Sequence, residues 1–168
     1  MTDVEAYISA VVRALDAGAA LTDAETCAAY GRHTLPDSDH IPSAVLYPDS
    51  AAALQVMVRL ANDYRVPLFP IGMGRNLGLG SRAPMRSGQV VVDLGRRMNR
   101  ILEINEELGY CEIEPGVSFN ALFEELKRRG DVLMMSPTAG PPDGSVLGNA
   151  IDKGGVTPLH RAARNRCS

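Results

Sequence analysis

The sequence is poor in cysteine, has no long apolar run and carries no excess of basic residues. Its cysteines, Cys27, Cys111 and Cys167, form no Cys-x-x-Cys pair, so they predict neither a zinc site nor a thiol redox pair and favour a reducing cytoplasm. No apolar stretch approaches the roughly 20 residues that cross a bilayer, and residues 1–10 lack the pattern of a secretory signal. The formal charge of −3 is not typical of a nucleic-acid-binding protein.

The rest of the composition is that of an ordinary globular domain. The chain has 168 residues, of which 45% are apolar and 22% charged, so a disordered, collagen-like or disulfide-stapled chain is excluded. Eleven prolines and 16 glycines are many for a helical bundle and indicate frequent turns between short elements.

Two capping boxes predict helices near the N-terminus. They are Thr2-x-x-Glu5 and Thr22-x-x-Glu25, in which each side chain can satisfy an otherwise unpaired backbone N–H. We expect residues 1–40 to form a helical arm that lies outside the core.

A β-α-β unit follows this arm. Residues 44–47 and 67–71 are short apolar strands, and between them Ser50 begins a helix with one apolar face. Strand, helix and strand in close succession are typical of a parallel sheet. Residues 89–94 predict a further strand that is buried on both faces.

A hairpin and a helix are predicted next. Residues 100–104 and 110–114 are apolar segments joined by a polar turn, which is typical of a β-hairpin. Ser118 is expected to cap a helix whose inward face carries Leu122, Phe123 and Leu126.

Two groups of titratable residues are candidates for chemistry, and a structural role is preferred for both. Glu124 and Glu125 are neighbours on a helix and do not share a face, so they are not expected to act as an acid–base pair. His33 and His40 lie in a polar loop with two aspartates, where a metal site is an alternative to a solvated loop. Nothing fixes the geometry of such a site, so we expect no metal. The two aspartates are Asp37 and Asp39.

A glycine-rich loop follows the strand that ends at residue 71, with four glycines among residues 72–80. Glycine lets a ligand approach backbone N–H groups, successive N–H groups bind anions, and Arg75 would add a forked donor. The dinucleotide fingerprint does not fit, because Gly78 comes one place late and no helix follows, and the phosphate loop with lysine has no matching lysine. A surface turn and an anion-binding loop both stay open, and the position after a buried strand favours the ligand.

Residues 135–150 form a second unusual segment, with three prolines and three glycines. Few side chains are available there for packing, so the segment is expected to follow an irregular path. Thr138, Ser145 and Asn149 offer neutral hydrogen-bonding groups that suit a polar ligand in a narrow cleft.

The two segments together resemble the vanillyl-alcohol oxidase and p-cresol methylhydroxylase flavoproteins. The likeness rests on Pro-Ile-Gly-Met-Gly-Arg-Asn-Leu-Gly-Leu-Gly at 70–80, on Gly-Ser-Val-Leu-Gly-Asn-Ala-Ile-Asp-Lys-Gly at 144–154 and on Ala-Val-Leu-Tyr-Pro-Asp-Ser at 44–50. It implies an α+β (α/β) fold. Residues 41–154 would form the first subdomain of a PCMH-type FAD-binding domain, with a β-α-β unit and a small mixed sheet, after the N-terminal helical arm.

The resemblance also implies the cofactor-binding residues, because in that family the first loop wraps the FAD pyrophosphate and the second segment lies along the flavin and its ribityl chain. The residues implied at the phosphates are Ile71, Gly72, Met73, Gly74, Arg75, Asn76, Leu77 and Gly78. Those implied along the rest of FAD are Pro137, Gly144, Ser145, Gly148, Asn149, Asp152 and Gly154. Relatives that tether flavin from this half of the chain carry histidine where Arg75 stands, so no such tether is expected.

The activity implied by the resemblance is oxidation of a para-substituted phenol, of the 4-cresol or vanillyl-alcohol type, by hydride transfer to FAD. The phenolic substrate would bind in the complete enzyme. The protein partner could be a cytochrome c subunit or a second copy of the chain in a homodimer, and both alternatives stay open. No nucleic-acid or membrane partner is expected. No catalytic residue is expected in this chain, because the substrate domain would lie beyond Ser168. We therefore expect the chain alone to be inactive. The alternatives are an FAD-binding subunit completed by another chain and a non-enzymatic interaction module.

Residues 155–168 depart from the Gly-Tyr-Thr-Pro-Tyr-like run that usually follows in the family. They predict a divergent tail, as in a truncated or frame-shifted product or a fragment. Residues 155–163 also match one ankyrin signature, but at least about three repeats are needed to bury a core, so we interpret the match as coincidental.

Overall fold

The computed structural model describes residues 3–34, 40–75, 81–130, 133–135, 141–153 and 159–161. The helices in this part of the chain are α1 (Val4–Ala14), α2 (Ala24–Tyr30), α3 (Ala51–Tyr64), α4 (Phe119–Arg128) and α5 (Val146–Lys153). The strands are β1 (Ala20–Leu21), β2 (Ala44–Leu46), β3 (Leu68–Ile71), β4 (Val90–Asp93), β5 (Ile101–Asn105), β6 (Tyr110–Ile113), β7 (Leu133–Met135) and β8 (Leu159–Arg161). Within the described ranges, no helix combines the length and apolarity that a membrane span requires.

A four-stranded mixed sheet lies at the centre of the fold, with the strand order β1-β2-β4-β3. The strands β2, β4 and β3 run parallel, and β1 pairs antiparallel with β2. The predicted β-α-β unit is formed by β2, α3 and β3, although β4 is inserted between its two strands. All four residues of β4 are buried, as the apolar run at 89–94 predicted. The predicted α+β class with a small mixed sheet is thus confirmed.

Helix α3 is bounded by a serine cap at its start and by a residue in the left-handed conformation after its end. The Ser50 hydroxyl accepts a hydrogen bond from the Ala53 N–H at 3.2 Å, which confirms its predicted capping role. Met57 and Ala61 are buried against the sheet. The helix ends at Arg65, which adopts the left-handed conformation at φ 55°.

The two N-terminal helices are capped by aspartate rather than by the predicted threonines. Asp3 and Asp23 each accept a hydrogen bond from the backbone N–H three residues later, at 3.0 Å and 2.8 Å. A carboxylate is as good a cap as a hydroxyl and carries a charge that suits the helix N-terminus. Thr22 therefore lies one residue before the cap, and Thr2 lies outside the described residues.

Helices from the N-terminal part of the chain cover both faces of the sheet. On one face, Tyr7 of α1 is fully buried in the same cluster as Met57 of α3. On the other face, Tyr30 of α2 packs against Val45 and Val91. The expectation that these helices lie outside the core is wrong, because each places an aromatic side chain within it. The boundary at residue 40 stays a prediction.

The predicted hairpin is formed by β5 and β6, and α4 follows it. Ser118 caps α4 as predicted, since its hydroxyl accepts the backbone N–H three residues later at 3.1 Å. Leu122 and Leu126 are buried, but Phe123 is 50% exposed, so its predicted inward orientation is wrong. Phe119 takes its place, because positions three and seven residues apart lie on one helical stripe.

Strands β7 and β8 pair antiparallel, with Leu133 opposite Arg161. Part of the segment that was predicted to be a divergent tail therefore forms a strand. This pairing joins the end of the described chain to the segment that follows α4.

Candidate functional site

The candidate site lies where the parallel strands β3 and β4 end. The carboxyl ends of parallel strands meet at one edge of a sheet, and ligands of open α/β sheets bind outside that edge. Strand β3 ends at buried Ile71 and continues into the bend at 72–75, while β4 ends at Asp93. The two exits are joined, because the Gly95 N–H donates to the Gly72 carbonyl at 3.0 Å.

The bend at 72–75 requires glycine at position 74 for two reasons. Gly74 has φ +62°, a left-handed conformation that favours glycine. A Cβ at this position would also lie 2.6 Å from the Cβ of Arg82, which is closer than real Cβ atoms approach. No oxygen of a described residue accepts a hydrogen bond from the backbone N–H groups of residues 73–75. Successive backbone N–H groups in a bend are the donors that an anion needs.

The second segment is held by hydrogen bonds around Ser145, which is only 5% exposed. The Ser145 hydroxyl donates to the Pro115 carbonyl at 2.5 Å and accepts the Gly148 N–H at 2.9 Å. The second bond satisfies an N–H in the first turn of α5. The Val146 N–H donates to the Val117 carbonyl at 3.0 Å. The segment is therefore fixed against the residues that precede α4.

The two glycine-rich segments lie next to each other. A Cβ on Gly72 would lie 3.3 Å from the Cβ and Oγ of Ser145 and 3.8 Å from the Gly148 Cα. Arg75 and Asp143 form an exposed ion pair at 2.9 Å, which joins the bend to the second segment. The bends lie side by side at one edge of the sheet, which is the arrangement that a shared ligand requires.

Two further glycines serve close backbone packing. A Cβ on Gly95 would lie 2.6 Å from the Gly72 oxygen, and one on Gly116 would lie 2.1 Å from the Gly95 oxygen. The backbones at these three positions are thus in direct contact, which fixes where the bend at 72–75 lies. Sequence reasoning missed Gly95 and Gly116 because each stands outside the glycine-rich segments.

The remaining predicted cofactor residues are distributed along α5 and its flanks. Gly144 is buried directly before Ser145, Gly148 and Asn149 lie in the first turn of α5, and Asp152 lies in its last turn. The other predicted residues lie outside the described ranges: Asn76, Leu77, Gly78, Pro137 and Gly154. The assignment of individual residues to FAD stays a prediction.

A buried polar cluster beside the bend was not foreseen from the sequence. The Tyr30 hydroxyl donates to Asp93 Oδ2 at 2.5 Å, and Asp93 Oδ1 accepts the N–H groups of Gly95 at 3.0 Å and Arg96 at 3.1 Å. Burial, reinforced by the bond to Asp93, raises the pKa of Tyr30 far above its ordinary value, so the hydroxyl keeps its proton. The sequence signal for this cluster is the aspartate that closes an apolar strand.

Two arginines stack on tyrosine rings at the same edge. The guanidinium carbon of Arg82 lies 4.7 Å from the ring centroid of Tyr30, and that of Arg96 lies 4.6 Å from the ring centroid of Tyr47. The negative face of an aromatic ring attracts such cations. The Arg82 side chain also packs against the bend, because its Cβ lies 2.6 Å from the Cβ position of Gly74. Arg96 directly follows Gly95, whose N–H donates to the Gly72 carbonyl.

The structure buries one of the two histidines that were expected in a solvated loop. His40 is only 6% exposed, its Nδ1 lies 2.7 Å from the Pro84 carbonyl oxygen, and its ring meets that of His33 at 4.3 Å. Asp37 and Asp39 lie outside the described residues. In the part of the chain that the structure describes, no three His, Cys, Asp or Glu side chains come together as a metal site.

The sequence of this chain matches the model of a known domain family, the FAD binding domain, over residues 42–166. This match covers well over half of the chain. The protein belongs to the FAD-binding domain family. FAD is thus the cofactor, and the PCMH-type fold inferred from the glycine-rich segments is confirmed.

Relatives of this FAD-binding domain include a decarboxylase, a flavoprotein subunit and an oxidase. It is 46% identical over 133 residues to 1'-carboxy-chondrochloren decarboxylase of Chondromyces crocatus, covering 79% of this chain and 24% of that protein. It is 33% identical over 150 residues to the 4-cresol dehydrogenase [hydroxylating] flavoprotein subunit of Pseudomonas putida, covering 88% of this chain and 29% of that protein. The structure of 4-ethylphenol oxidase from Gulosibacter chungangensis matches with a TM-score of 0.82 and 38% identity, and the match covers 88% of this chain and 28% of that protein. The chain thus spans less than a third of each relative.

The residues of this FAD-binding domain fit the cofactor. The backbone N–H groups at 73–75, which donate to no oxygen of a described residue, suit a pyrophosphate. The side chain of Arg82, a cation, packs against Gly74 in the same bend. The Ser145 hydroxyl is already bonded to two backbone groups. These two bonds hold the second segment in place, and a contact between Ser145 and FAD stays a prediction.

Proposed function

We propose that this chain is the FAD-binding portion of an oxidoreductase that oxidises para-substituted phenols, of the 4-cresol or vanillyl-alcohol type, by hydride transfer to flavin. The observation that carries the proposal is the contact between the bend at 72–75 and the segment at 143–148 at the carboxyl edge of the sheet. The phenol part is supported by two relatives, the 4-cresol dehydrogenase subunit and 4-ethylphenol oxidase.

Each segment has one task in this proposal. The N–H groups at 73–75 bind the FAD pyrophosphate, and the cations of Arg82 and Arg96 offset its charge. Helix α5 and the residues before it position the flavin end of the cofactor. When bound, FAD accepts the hydride from the benzylic carbon of the phenol, and this chain supplies binding and orientation.

The substrate chemistry belongs, in this proposal, to a part of the enzyme that the 168-residue chain does not contain, since the chain spans only 24% to 29% of the relatives. The chain alone is then inactive. A cytochrome c subunit or a second copy of the chain is the proposed protein partner, and the cytoplasm the proposed location. Turnover of vanillyl alcohol or 4-cresol by the isolated chain would contradict this view.

The 46% identity to 1'-carboxy-chondrochloren decarboxylase favours a second candidate, the FAD-binding portion of a flavoprotein decarboxylase. The two candidates differ in the products of the complete protein. Oxidation of 4-cresol reduces an electron acceptor, whereas a decarboxylase releases carbon dioxide from a carboxylated substrate. A third arrangement, a subunit completed by another chain, predicts that flavin is retained only when a partner co-purifies.

The cofactor part is tested by adding FAD to the purified chain and recording the flavin absorbance after gel filtration. We expect wild type to retain flavin and Gly74→Val to lose it, because the Val side chain meets Arg82. The matched control is Gly130→Val: Gly130 also has positive φ, at +94°, but no atom lies within 4 Å of its Cβ position. Equal flavin retention by both variants would contradict the role of the bend, and no retention by wild type would contradict FAD binding by this chain.

A further inference from the structure

Tyr30 contacts two residues next to the bend at 72–75, Asp93 and Arg82, from outside the matched family segment. It lies at the end of α2, twelve positions before the matched residues 42–166 begin. Its side chain is nevertheless buried against the sheet, with 7% of the residue exposed, and Asp93 at the end of β4 is also 7% exposed. The contact between them therefore joins the N-terminal segment to the carboxyl edge of the sheet.

The first route from Tyr30 to the bend runs through hydrogen bonds. The Tyr30 hydroxyl donates to one oxygen of Asp93, and the other oxygen accepts the Gly95 N–H. The same Gly95 N–H also donates to the Gly72 carbonyl at 3.0 Å. Because Gly95 has no side chain and touches the Gly72 backbone directly, a displacement of Asp93 is passed on to the first residue of the bend.

The second route runs through the face of the Tyr30 ring. The Arg82 guanidinium stacks on this ring at 4.7 Å. The aliphatic part of the same arginine fills the space that a Cβ on Gly74 would occupy, with three of its carbon atoms within 3.4 Å of that position. The ring thus holds the side chain against which the middle of the bend rests.

We infer that Tyr30 is a positioning residue for FAD, which acts through Asp93 and Arg82 to hold the bend at 72–75 in its binding conformation. This inference rests on the proposed role of the bend in FAD binding. It gives the N-terminal segment a task in cofactor recognition, although that segment provides no residue to the predicted FAD contacts.

A second buried tyrosine provides the matched control. Tyr7 of α1 is 0% exposed, and its hydroxyl donates to the Met57 carbonyl at 3.1 Å on the opposite face of the sheet. Tyr7→Phe and Tyr30→Phe each remove one buried hydroxyl from an N-terminal helix. Only Tyr30→Phe removes a hydrogen bond that leads to the bend. A general loss of stability should therefore appear in both variants, whereas a loss of positioning should appear in Tyr30→Phe alone.

The first measurement needs no cofactor. Amide hydrogen exchange is followed by NMR at Gly95, Arg96 and residues 73–75 and is corrected for the global stability of each variant. We expect exchange at Gly95 and Arg96 to become about tenfold faster in Tyr30→Phe, because Asp93 loses a hydrogen bond that holds its carboxylate. Tyr7→Phe should leave these amides unchanged. Tyr30→Leu also removes the ring and should extend the effect to residues 73–75.

The second measurement is an FAD titration of the same variants. Flavin absorbance is recorded at each FAD concentration, and the titration gives the dissociation constant of FAD. Tyr30→Phe should raise the Kd by about tenfold relative to Tyr7→Phe. Equal exchange rates and equal Kd values in the two variants would overturn the inference. If wild type binds no FAD, the proposed function fails, and unchanged exchange at Gly95 would then overturn the positioning role separately.

Discussion

Replacing Gly95 by alanine tests the backbone contact that sets the position of the bend at 72–75. The new Cβ would lie 2.6 Å from the Gly72 oxygen and 2.8 Å from the Met73 Cγ. An ordinary contact begins at 3.4 Å, so the Gly72 carbonyl must move by about 0.8 Å. The methionine can turn away, but the carbonyl belongs to the backbone of the bend and can move only with it.

The cost of this displacement exceeds the benefit of alanine over glycine. Overpacking of this kind typically costs about 1–3 kcal/mol, and the reduced entropy of the unfolded chain returns about 0.4–1 kcal/mol. A net loss of about 1–2 kcal/mol lowers the Tm of a chain of this size by roughly 2–8 °C. The FAD affinity should fall as well, because the bend itself is displaced.

The assay is thermal and urea unfolding, with Gly18→Ala as the matched control. Gly18 also lacks a positive φ. The nearest atom to its Cβ position is a carboxylate oxygen of Asp16 at 3.0 Å, which accepts the Gly18 N–H and needs to shift by only a few tenths of an ångström. The control should stay within about 0.5 kcal/mol of wild type. If Gly95→Ala is as stable as the control and retains flavin equally well, the contact between Gly95 and the bend does not have the proposed role.

Two further changes test the surroundings of the site. Ser145→Ala leaves the Pro115 carbonyl and the Gly148 N–H without their hydroxyl partner and should lower the free energy of unfolding by about 1–2 kcal/mol in urea; a variant as stable as wild type would contradict this. The hydrogen-bonded Arg100 guanidinium holds the pKa of the buried Glu114 carboxyl below its ordinary value of 4.5. The ionised carboxylate therefore stabilises the folded state fully above pH 4.5, and this stabilisation is lost as the pH falls through the lowered pKa. The difference in free energy of unfolding between wild type and Glu114→Gln should therefore shrink in acid, and a difference that does not depend on pH would contradict the ion pair.

Local features of the fold could be predicted because their causes lie within a few residues. Ser50 and Ser118 cap their helices as expected, and the apolar run at 89–94 contains a buried strand. The prediction failed where two neighbouring residues could serve equally well, as with Thr22 and Asp23 at the start of α2. Either side chain is able to accept the hydrogen bond of a cap. Which of the two does so depends on the residue at which the helix begins.

The candidate site could be predicted only in part. The glycine-rich segments were visible because four glycines among residues 72–80 change the local composition. The contact between Tyr30 and Asp93 was not visible, because it joins residues 63 positions apart and depends on which helix covers which face of the sheet. Gly95 was missed for the same reason, since its tight neighbour is the backbone of Gly72 and a lone glycine gives no sign of what it touches.

Charge was the hardest feature to anticipate. The sequence implied a role for Arg75 at the phosphates, which stays a prediction, but gave no sign that its guanidinium pairs with Asp143. Arg82 and Arg96 carry no local pattern that marks them, and they gain their place at the site from the tyrosine rings on which they stack. Side-chain partners of this kind depend on the tertiary fold, which a single sequence does not display.

The insertion of β4 between β2 and β3 determines when this sheet can assemble. The register joins Ala44 to Val90 and Leu68 to Val90, so neither flanking strand has a parallel neighbour until residues 90–93 have been synthesised. A chain that emerges from the ribosome must therefore keep β3 unpaired, and β2 paired only with β1, while α3 forms. Long-range pairings of this kind close slowly. Any polypeptide that stops before residue 93 would expose these apolar strands and would be prone to aggregation.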